Sequence, residues 1–318
     1  MLYKSFITMI LMVLVPMSVS AEDSLVVVFW NMENFFDHID GGEGKSDREF
    51  SARGSRHWTS RRFYAKCDAV SKSLMWMGDR YGRLPDIIGM AEVENKDVLY
   101  KLLKSTSLRK SDYRIVHYDS GDRRGIDVAL LYRESVMTLV STTRKVPEYE
   151  DEKLPTRDIL HVEMFLRDGR RLDFIVNHHP SKFGGETVSA RKRDAAMVAL
   201  RELCDSIGNG TLVAMGDFND TPEGASFRIL EDCLENKGRE LHRKGYGTIR
   251  YEGKWELIDM FLVSPELDPV SEMEICRMPF HLVRESRHPG EKPFRTYSGP
   301  RYIGGISDHL PIVLKIFL

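Results

Sequence analysis

Cysteine is scarce and scattered in this chain. Cys67, Cys204, Cys233 and Cys276 are the only four, and no CxxC pair occurs. That excludes a dense disulfide scaffold. Cys67 and Cys204 fall within apolar helical patterns, so buried thiols are as good a reading as bridges. No Gly-rich dinucleotide fingerprint, no Walker A loop and no GxSxG elbow is present, which removes three common catalytic frames. Internal repeats and low-complexity segments are missing too. Charge of one sign is lacking: the formal balance is -2 over 318 residues. A uniformly basic, nucleic-acid-coating surface is thereby excluded, though Arg61-Arg62, Arg123-Arg124 and Arg191-Lys192-Arg193 leave room for a local basic groove.

Long hydrophobic runs are absent after residue 17. Before it, Lys4 leads into an apolar run over 6–17, then Ser18-Val19-Ser20-Ala21. A charged start, an apolar middle and a small-residue exit predict a secretory signal peptide at 1–21. The run is short for a bilayer span, and no cysteine stands at the exit to carry a lipoprotein anchor. The expectation is a periplasmic or secreted bacterial protein without stable membrane insertion. Residues 22–318 could form one large domain or two small ones, and 42% hydrophobic content supports a substantial core.

What the chain does have is a set of strands ending in polar groups. Residues 212–215 are apolar and read as a buried strand; Gly216-Asp217-Phe218-Asn219-Asp220 follows. Alternation puts Asp217 and Asn219 on one face and turns Phe218 to the core. Taken alone, this is equally an Asx turn closed by Thr221-Pro222. The pattern recurs, however. A run over 25–30 delivers Asn31 and Glu33; one over 86–91 delivers Glu92 and Glu94. A strand over 171–177 ends in Asn177-His178-His179, and Ser307-Asp308-His309 precedes the last strand, 312–317. Arg157 stands at the head of a strand predicted over 155–165, Asp127 in one over 125–132, and Asp259 inside one over 256–264. Between them, Phe63, Cys67, Val70, Leu74 and Met77 are spaced three and four apart, a helix stripe. A second helix is predicted over 186–204 and shorter ones over 97–108 and 225–231. Acids and amides suit Mg2+, Mn2+ or Ca2+, and arginine suits a phosphate. Glu33, Glu94 and Asp127 could equally be solvated or structural, and His179 reads as structural. The basic, irregular stretch 281–301, with Arg284, Arg287, Lys292, Arg295 and Arg301, is a candidate specificity loop.

The ordered motifs Trp30-Asn31-Met32-Glu33-Asn34, Ala91-Glu92-Val93-Glu94-Asn95, Gly125 to Tyr132, Asn177-His178-His179-Pro180-Ser181-Lys182, Gly216-Asp217-Phe218-Asn219-Asp220, Ile258-Asp259 and Ser307-Asp308-His309-Leu310-Pro311 resemble the endonuclease/exonuclease/phosphatase superfamily. Pancreatic-type DNases, apurinic endonucleases, bacterial sphingomyelinases and inositol-polyphosphate phosphatases share that fold. The resemblance implies a single catalytic domain over 22–318 and an α/β four-layer sandwich, two largely antiparallel mixed sheets flanked by helices. It implies Glu92, Asn31 and Asp308 as metal-side residues, with Mg2+ expected and Mn2+ or Ca2+ as alternatives. His309 resembles the general base and Asp259 the acid that orients it. Asp217 and Asn219 resemble the pair that positions water or meets the transition state. His178, Asn219 and Arg157 resemble phosphate contacts. The function implied is phosphodiester hydrolysis by activated water, with DNA or RNA as the expected substrate. The alternative is a phosphatase or phospholipase C-like hydrolase acting on a phosphomonoester, phosphoinositide or sphingomyelin. The enzyme is expected to work as a monomer.

Overall fold

Two six-stranded sheets carry the fold of the computed structural model, which describes residues 24–42, 44–150, 152–182, 185–208 and 210–318. The expected signal peptide at 1–21 lies outside the described residues. In chain order the strands are β1 (Ser24–Phe35), β2 (Ile87–Val93), β3 (Tyr113–His117), β4 (Asp127–Arg133), β5 (Met137–Lys145), β6 (Ile159–Leu166), β7 (Arg171–His178), β8 (Leu212–Asp217), β9 (Glu235–Asn236), β10 (Asp259–Val263), β11 (Ser271–Ile275) and β12 (Ile312–Phe317). The first sheet runs β11-β12-β1-β2-β4-β3 and the second β9-β10-β8-β7-β6-β5. Each is antiparallel except for one parallel pair at its centre, β1 with β2 and β7 with β8.

That topology gathers the polar strand ends. Parallel neighbours finish at the same edge, so Asn31 and Glu92 come together on one sheet and His178 and Asp217 on the other. Antiparallel neighbours begin where their partners finish, so Asp259 lies opposite Asp217, and residues 308–309 lead into β12, which pairs with β1.

Alternation builds the layers. In β1, Leu25, Val27 and Phe29 face the second sheet, where they meet Val213 and Met215 of β8. Val26, Val28 and Trp30 face the other way, onto helix α1 (Ser60–Tyr81) and helix α2 (Lys96–Ser105). On the far side, Ala214 and Phe218 face helix α3 (Glu186–Ile207). The helix–sheet–sheet–helix order is therefore read directly from which strand positions are apolar on both faces. The α1 stripe predicted from spacing is fully buried at Phe63, Cys67, Val70, Leu74 and Met77. Each such side chain is worth roughly 1.5–3 kcal/mol, so packing sets the helix's orientation. The sheets approach closely at Gly89, where a Cβ would sit 2.6 Å from Met215 Sδ.

Some boundaries differ from expectation. The strand expected over 256–264 begins at Asp259, because β8, its partner, stops at Asp217. Lys254–Glu256 pairs instead with Ile249–Tyr251 as a separate ribbon. Residues 155–158 precede β6 rather than joining it. The helix expected over 225–231 is a 3-10 turn, Ala225–Leu230. The basic stretch contains two short ribbons, Leu282–Arg284 with Glu291–Pro293 and Tyr297–Ser298 with Arg301–Tyr302. All four cysteines are free thiols. Among the described residues no helix is long and apolar enough to cross a membrane.

Candidate active site

Local backbone irregularities aim the acids. The β1–β2 ladder shifts register between Asn31 and Phe35, and the β2–β4 ladder between Ala91 and Val93. At these bulges Glu33, Asn34 and Glu92 adopt φ of +49°, +52° and +60°. Non-glycine residues hold such angles only when their surroundings over-determine them. For Glu92 those surroundings are visible: its Oε2 accepts the Asn34 N–H at 2.7 Å, and its Oε1 receives Arg124 Nη1 at 3.2 Å. Arg124 Nη2 also donates to Asn34 Oδ1 at 2.6 Å. On the second sheet Asn219, φ +51°, follows β8. Gly216 permits the close β7–β8 approach, since a Cβ there would lie 2.5 Å from the Asn177 carbonyl oxygen.

The two sheets meet through hydrogen bonds at this edge. Asn31 Nδ2 donates to Asp217 Oδ2 at 3.0 Å. His309 reaches across from the first sheet to the second: its Nδ1 lies 2.8 Å from Asp259 Oδ2, and its Nε2 3.9 Å from Asp217 Oδ2. The His309 main chain is clamped on both sides. Trp30 Nε1 donates to its carbonyl at 2.9 Å, and its N–H donates to Ser307 Oγ at 3.0 Å. Ser307 Oγ in turn donates to the Asn31 carbonyl at 2.6 Å. Behind it, His281 bonds Ser307 O through Nε2 at 2.9 Å and tilts against Trp30.

Electrostatics separates the acids. Burial first, then the neighbouring Asp259 charge, pushes Asp217 up to about 7. Burial works against a charged His309, yet Asp259 beside its Nδ1 and Asp217 hold the ring well above its ordinary range. Burial also opposes the Glu92 charge, but Arg124, the Asn34 N–H and His309 outweigh it and keep Glu92 below the usual carboxylate range. Glu92 is thus held in its ionised form.

A divalent ion has two donor sets to choose from. Glu92, Asn31 and Asp308 offer oxygens on the first sheet. Asp308 is one-third exposed and receives Arg295 Nη2 at 3.0 Å; Arg295 Nε also lies 3.4 Å from Glu33 Oε1. Asp217, Asp259 and His309 form the tighter group, with one ligand atom from each lying within 4.8 Å of the others. In that trio, however, the His309–Asp259 contact is itself a hydrogen bond, the usual device for orienting an imidazole. An all-oxygen set fits a hard cation better, so the residues around Glu92 fit Mg2+ or Mn2+.

His178 is buried; its Nε2 lies 3.7 Å from Asp217 Oδ2, and its Nδ1 has no partner. Burial, then Arg157 and Arg124, drives it well below its ordinary range, so it is neutral. Arg157 stands beside this segment but is committed: Nη1 to Asp122 Oδ2 at 3.1 Å and Nη2 to the His179 carbonyl at 2.7 Å. Only its Nε lacks a partner. Asn219 Nδ2 likewise donates to the His179 carbonyl at 2.9 Å, and its N–H to Asp217 Oδ1. The His179 ring packs edge-on against Phe218 with both nitrogens unpartnered.

Sequence reasoning missed Lys66 and singled out neither Arg124 nor Arg295 as a partner of the acids. Lys66 Nζ is buried and donates to the Glu33 carbonyl at 2.7 Å and to Thr296 Oγ1 at 3.0 Å. A signal existed: Lys66 lies three after Phe63 and four before Val70, on the buried face of the stripe. Burial lowers it to about 8 and, with Asp308, raises Glu33 to about 7.

Glu94 is held apart from Glu92. It accepts the Asp37 N–H at 2.7 Å. Burial, then its hydrogen bond with Asp47, raises it to about 8. The folded protein therefore keeps a proton that the unfolded chain gives up near 4.5. This contribution is full below that value and is lost as pH climbs through about 8. Glu94→Gln is expected to flatten the fall of melting temperature between pH 5 and 8, removing up to about 1.4 kcal/mol per pH unit of that slope. Calorimetric scans of both proteins across the range check it; parallel curves would contradict it.

The sequence matches the profile of the Endonuclease/Exonuclease/phosphatase family over residues 26–317. No curated protein matches the chain. Among solved structures it is similar to an endonuclease/exonuclease/phosphatase family protein of Bacteroides thetaiotaomicron, at 17% identity and TM-score 0.59, covering 92% of this chain and 97% of that one. It is similar to the human Nocturnin catalytic domain with bound sulfate, at 15% identity and TM-score 0.55, covering 92% and 94%. A mannosyl-6-phosphatase of Bacteroides thetaiotaomicron aligns at 15% identity and TM-score 0.57, covering 92% and 100%. At such identities the likeness concerns the fold, and the family match spans nearly the whole of the described chain: this protein belongs to the endonuclease/exonuclease/phosphatase family.

Proposed function

We propose that the chain is a divalent-metal-dependent phosphodiesterase, exported by residues 1–21 and acting on DNA or RNA through water activated by His309. The observation that supports it most is the convergence, at one edge of two sheets, of the ionised Glu92 with Asn31 and Asp308 and of a carboxylate–imidazole pair, Asp259 with His309. A bound Mg2+ or Mn2+ at Glu92, Asn31 and Asp308 would supply Lewis-acid stabilisation of the phosphoryl oxygens. The chain's own residues do the rest. Asp259 fixes the His309 ring through Nδ1 and leaves Nε2 to accept the proton of the attacking water. Asp217, facing Nε2, orients that water, and Asn219 and Asn31 hold Asp217 in place. His178 is neutral, so it can donate one hydrogen bond to a phosphoryl oxygen without carrying charge. Arg157 can reach phosphate only through Nε.

The charge balance favours a diester. Arg124 and Arg295 each face carboxylates, Arg157 faces Asp122, and Lys66 is buried. Asp217 and Asp259 add further acid. A monoester dianion needs more uncommitted cation than a diester monoanion, whatever metal is bound. The protein is therefore expected to cleave bis-p-nitrophenyl phosphate faster than p-nitrophenyl phosphate, and to cut plasmid DNA or RNA, with Mg2+ or Mn2+ present. Sphingomyelin and inositol phosphates complete the panel. Preference for the monoester would make it a phosphatase, and activity surviving EDTA would remove the metal from the mechanism.

A further inference from the structure

We propose that His117, Asp119 and Asp127 form a second metal site, separate in its ligands from the catalytic one, which takes a nitrogen-accepting divalent cation such as Zn2+ or Mn2+ and staples the β3–β4 loop. His117 is the last residue of β3 and Asp127 the first of β4, so the two close the mouth of the loop between them. One nitrogen of His117 and one oxygen from each aspartate lie within 4.8 Å of one another. The His117 side chain is 3% exposed, and its Nε2 is buried with no hydrogen-bond partner. That nitrogen lies 3.5 Å from Asp127 Oδ2, while Nδ1 is 3.9 Å from Asp119 Oδ1.

A buried imidazole nitrogen without a partner calls for an explanation, and a ligated cation provides one. Asp127 is prepared for it. Its Oδ1 is engaged by the Ser120 N–H at 3.0 Å, which leaves Oδ2 for an ion. Asp119 is 86% exposed and gives a route in from solvent. Arg144, which donates to the Asp119 carbonyl at 2.7 Å, is already matched by Asp158, whose Oδ2 lies 3.4 Å away. The donor set decides the metal: an imidazole with two carboxylates suits Zn2+ or Mn2+ rather than the all-oxygen preference of Mg2+ and Ca2+.

The consequence reaches the catalytic edge. The loop that the ion would close carries Asp122, bonded to Arg157, and Arg124, bonded to Glu92. Holding both loop ends fixes where Arg124 is presented.

The test is a Co2+ titration of the full chain, stripped with EDTA and then saturated with Mg2+, reading the visible ligand-field absorption. The wild type is expected to take up one equivalent of Co2+ with a visible band and to melt higher with Zn2+ than without it. Asp119→Asn, at an exposed position that leaves folding intact, and His117→Gln are expected to lose both effects. Glu92→Gln is expected to keep them, which separates this site from the catalytic one. An unchanged band in Asp119→Asn and His117→Gln, a band lost in Glu92→Gln, or no Co2+ uptake by the wild type would each overturn the proposal.

Discussion

Replacing His309 by Gln is expected to lower kcat for a phosphodiester about 10²- to 10⁴-fold, the range for loss of a positioned general base. The protein should stay folded by circular dichroism. Gln is close to the ring in size, and the main-chain bonds from Trp30 and to Ser307 do not depend on the side chain. Asp259→Asn should cost nearly as much, for a different reason. The carboxylate 2.8 Å from Nδ1 fixes the tautomer that leaves Nε2 free to take a proton. Asparagine can present an N–H to the ring instead and turn that tautomer over. The pH profile distinguishes this positioning role from a general loss of structure. Burial alone would lower the His309 value, and Asp259 is the largest influence raising it. Removing that charge should move the acid limb of kcat/KM to lower pH while the plateau falls. A profile that drops in height with an unmoved limb would count against the assignment.

The same two variants decide between the donor sets. Were Asp217, Asp259 and His309 the metal ligands, Asp259→Asn would raise the Mg2+ concentration needed for half-maximal activity. With Asp259 as the orienting acid, that concentration should stay within about twofold of wild type, since the expected effect lies in catalysis rather than in metal affinity. Titrating metal at saturating substrate reads the difference.

The residues that were legible in the sequence are those set by periodicity. Leu25 to Trp30 announced a strand buried on both faces, and the spacing from Phe63 to Met77 announced the face of α1. The layer order follows from such patterns because burial on two sides leaves no polar position free. Asn31, Glu92, Asp217 and His309 were legible as strand-end polar groups whose order along the chain matched a known family. The partners of these groups were not. Arg124 sits 32 positions from Glu92 and Arg295 lies 262 from Glu33, and no local pattern links them. The start of β10 at Asp259 depends on where β8 stops, which is a register between strands and not a property of either one. His117 escaped notice because a single histidine at a strand end carries no signal until Asp119 and Asp127 are placed beside it.

Glu92→Gln is expected to reduce kcat/KM about a thousandfold at a fixed, subsaturating Mg2+ concentration. Lewis-acid stabilisation of developing charge is worth several kcal/mol, and each 1.36 kcal/mol is tenfold. The environment of Glu92 explains why one neutralised oxygen does so much. Arg124 and the Asn34 N–H keep this carboxylate ionised although little of it is exposed, so a cation binding it does not compete with a proton. The amide of glutamine can still accept the Asn34 N–H with its oxygen. Its NH2 then faces Arg124 donor to donor, so the arginine keeps Asn34 but loses its carboxylate partner and adds uncompensated positive charge beside the cation's position. Both effects act on metal affinity first. Raising Mn2+ into the millimolar range should therefore recover a large part of the activity of Glu92→Gln but little of that of His309→Gln. If both variants respond alike to added metal, Glu92 and His309 do not divide the chemistry between cation and base as the geometry of this edge implies.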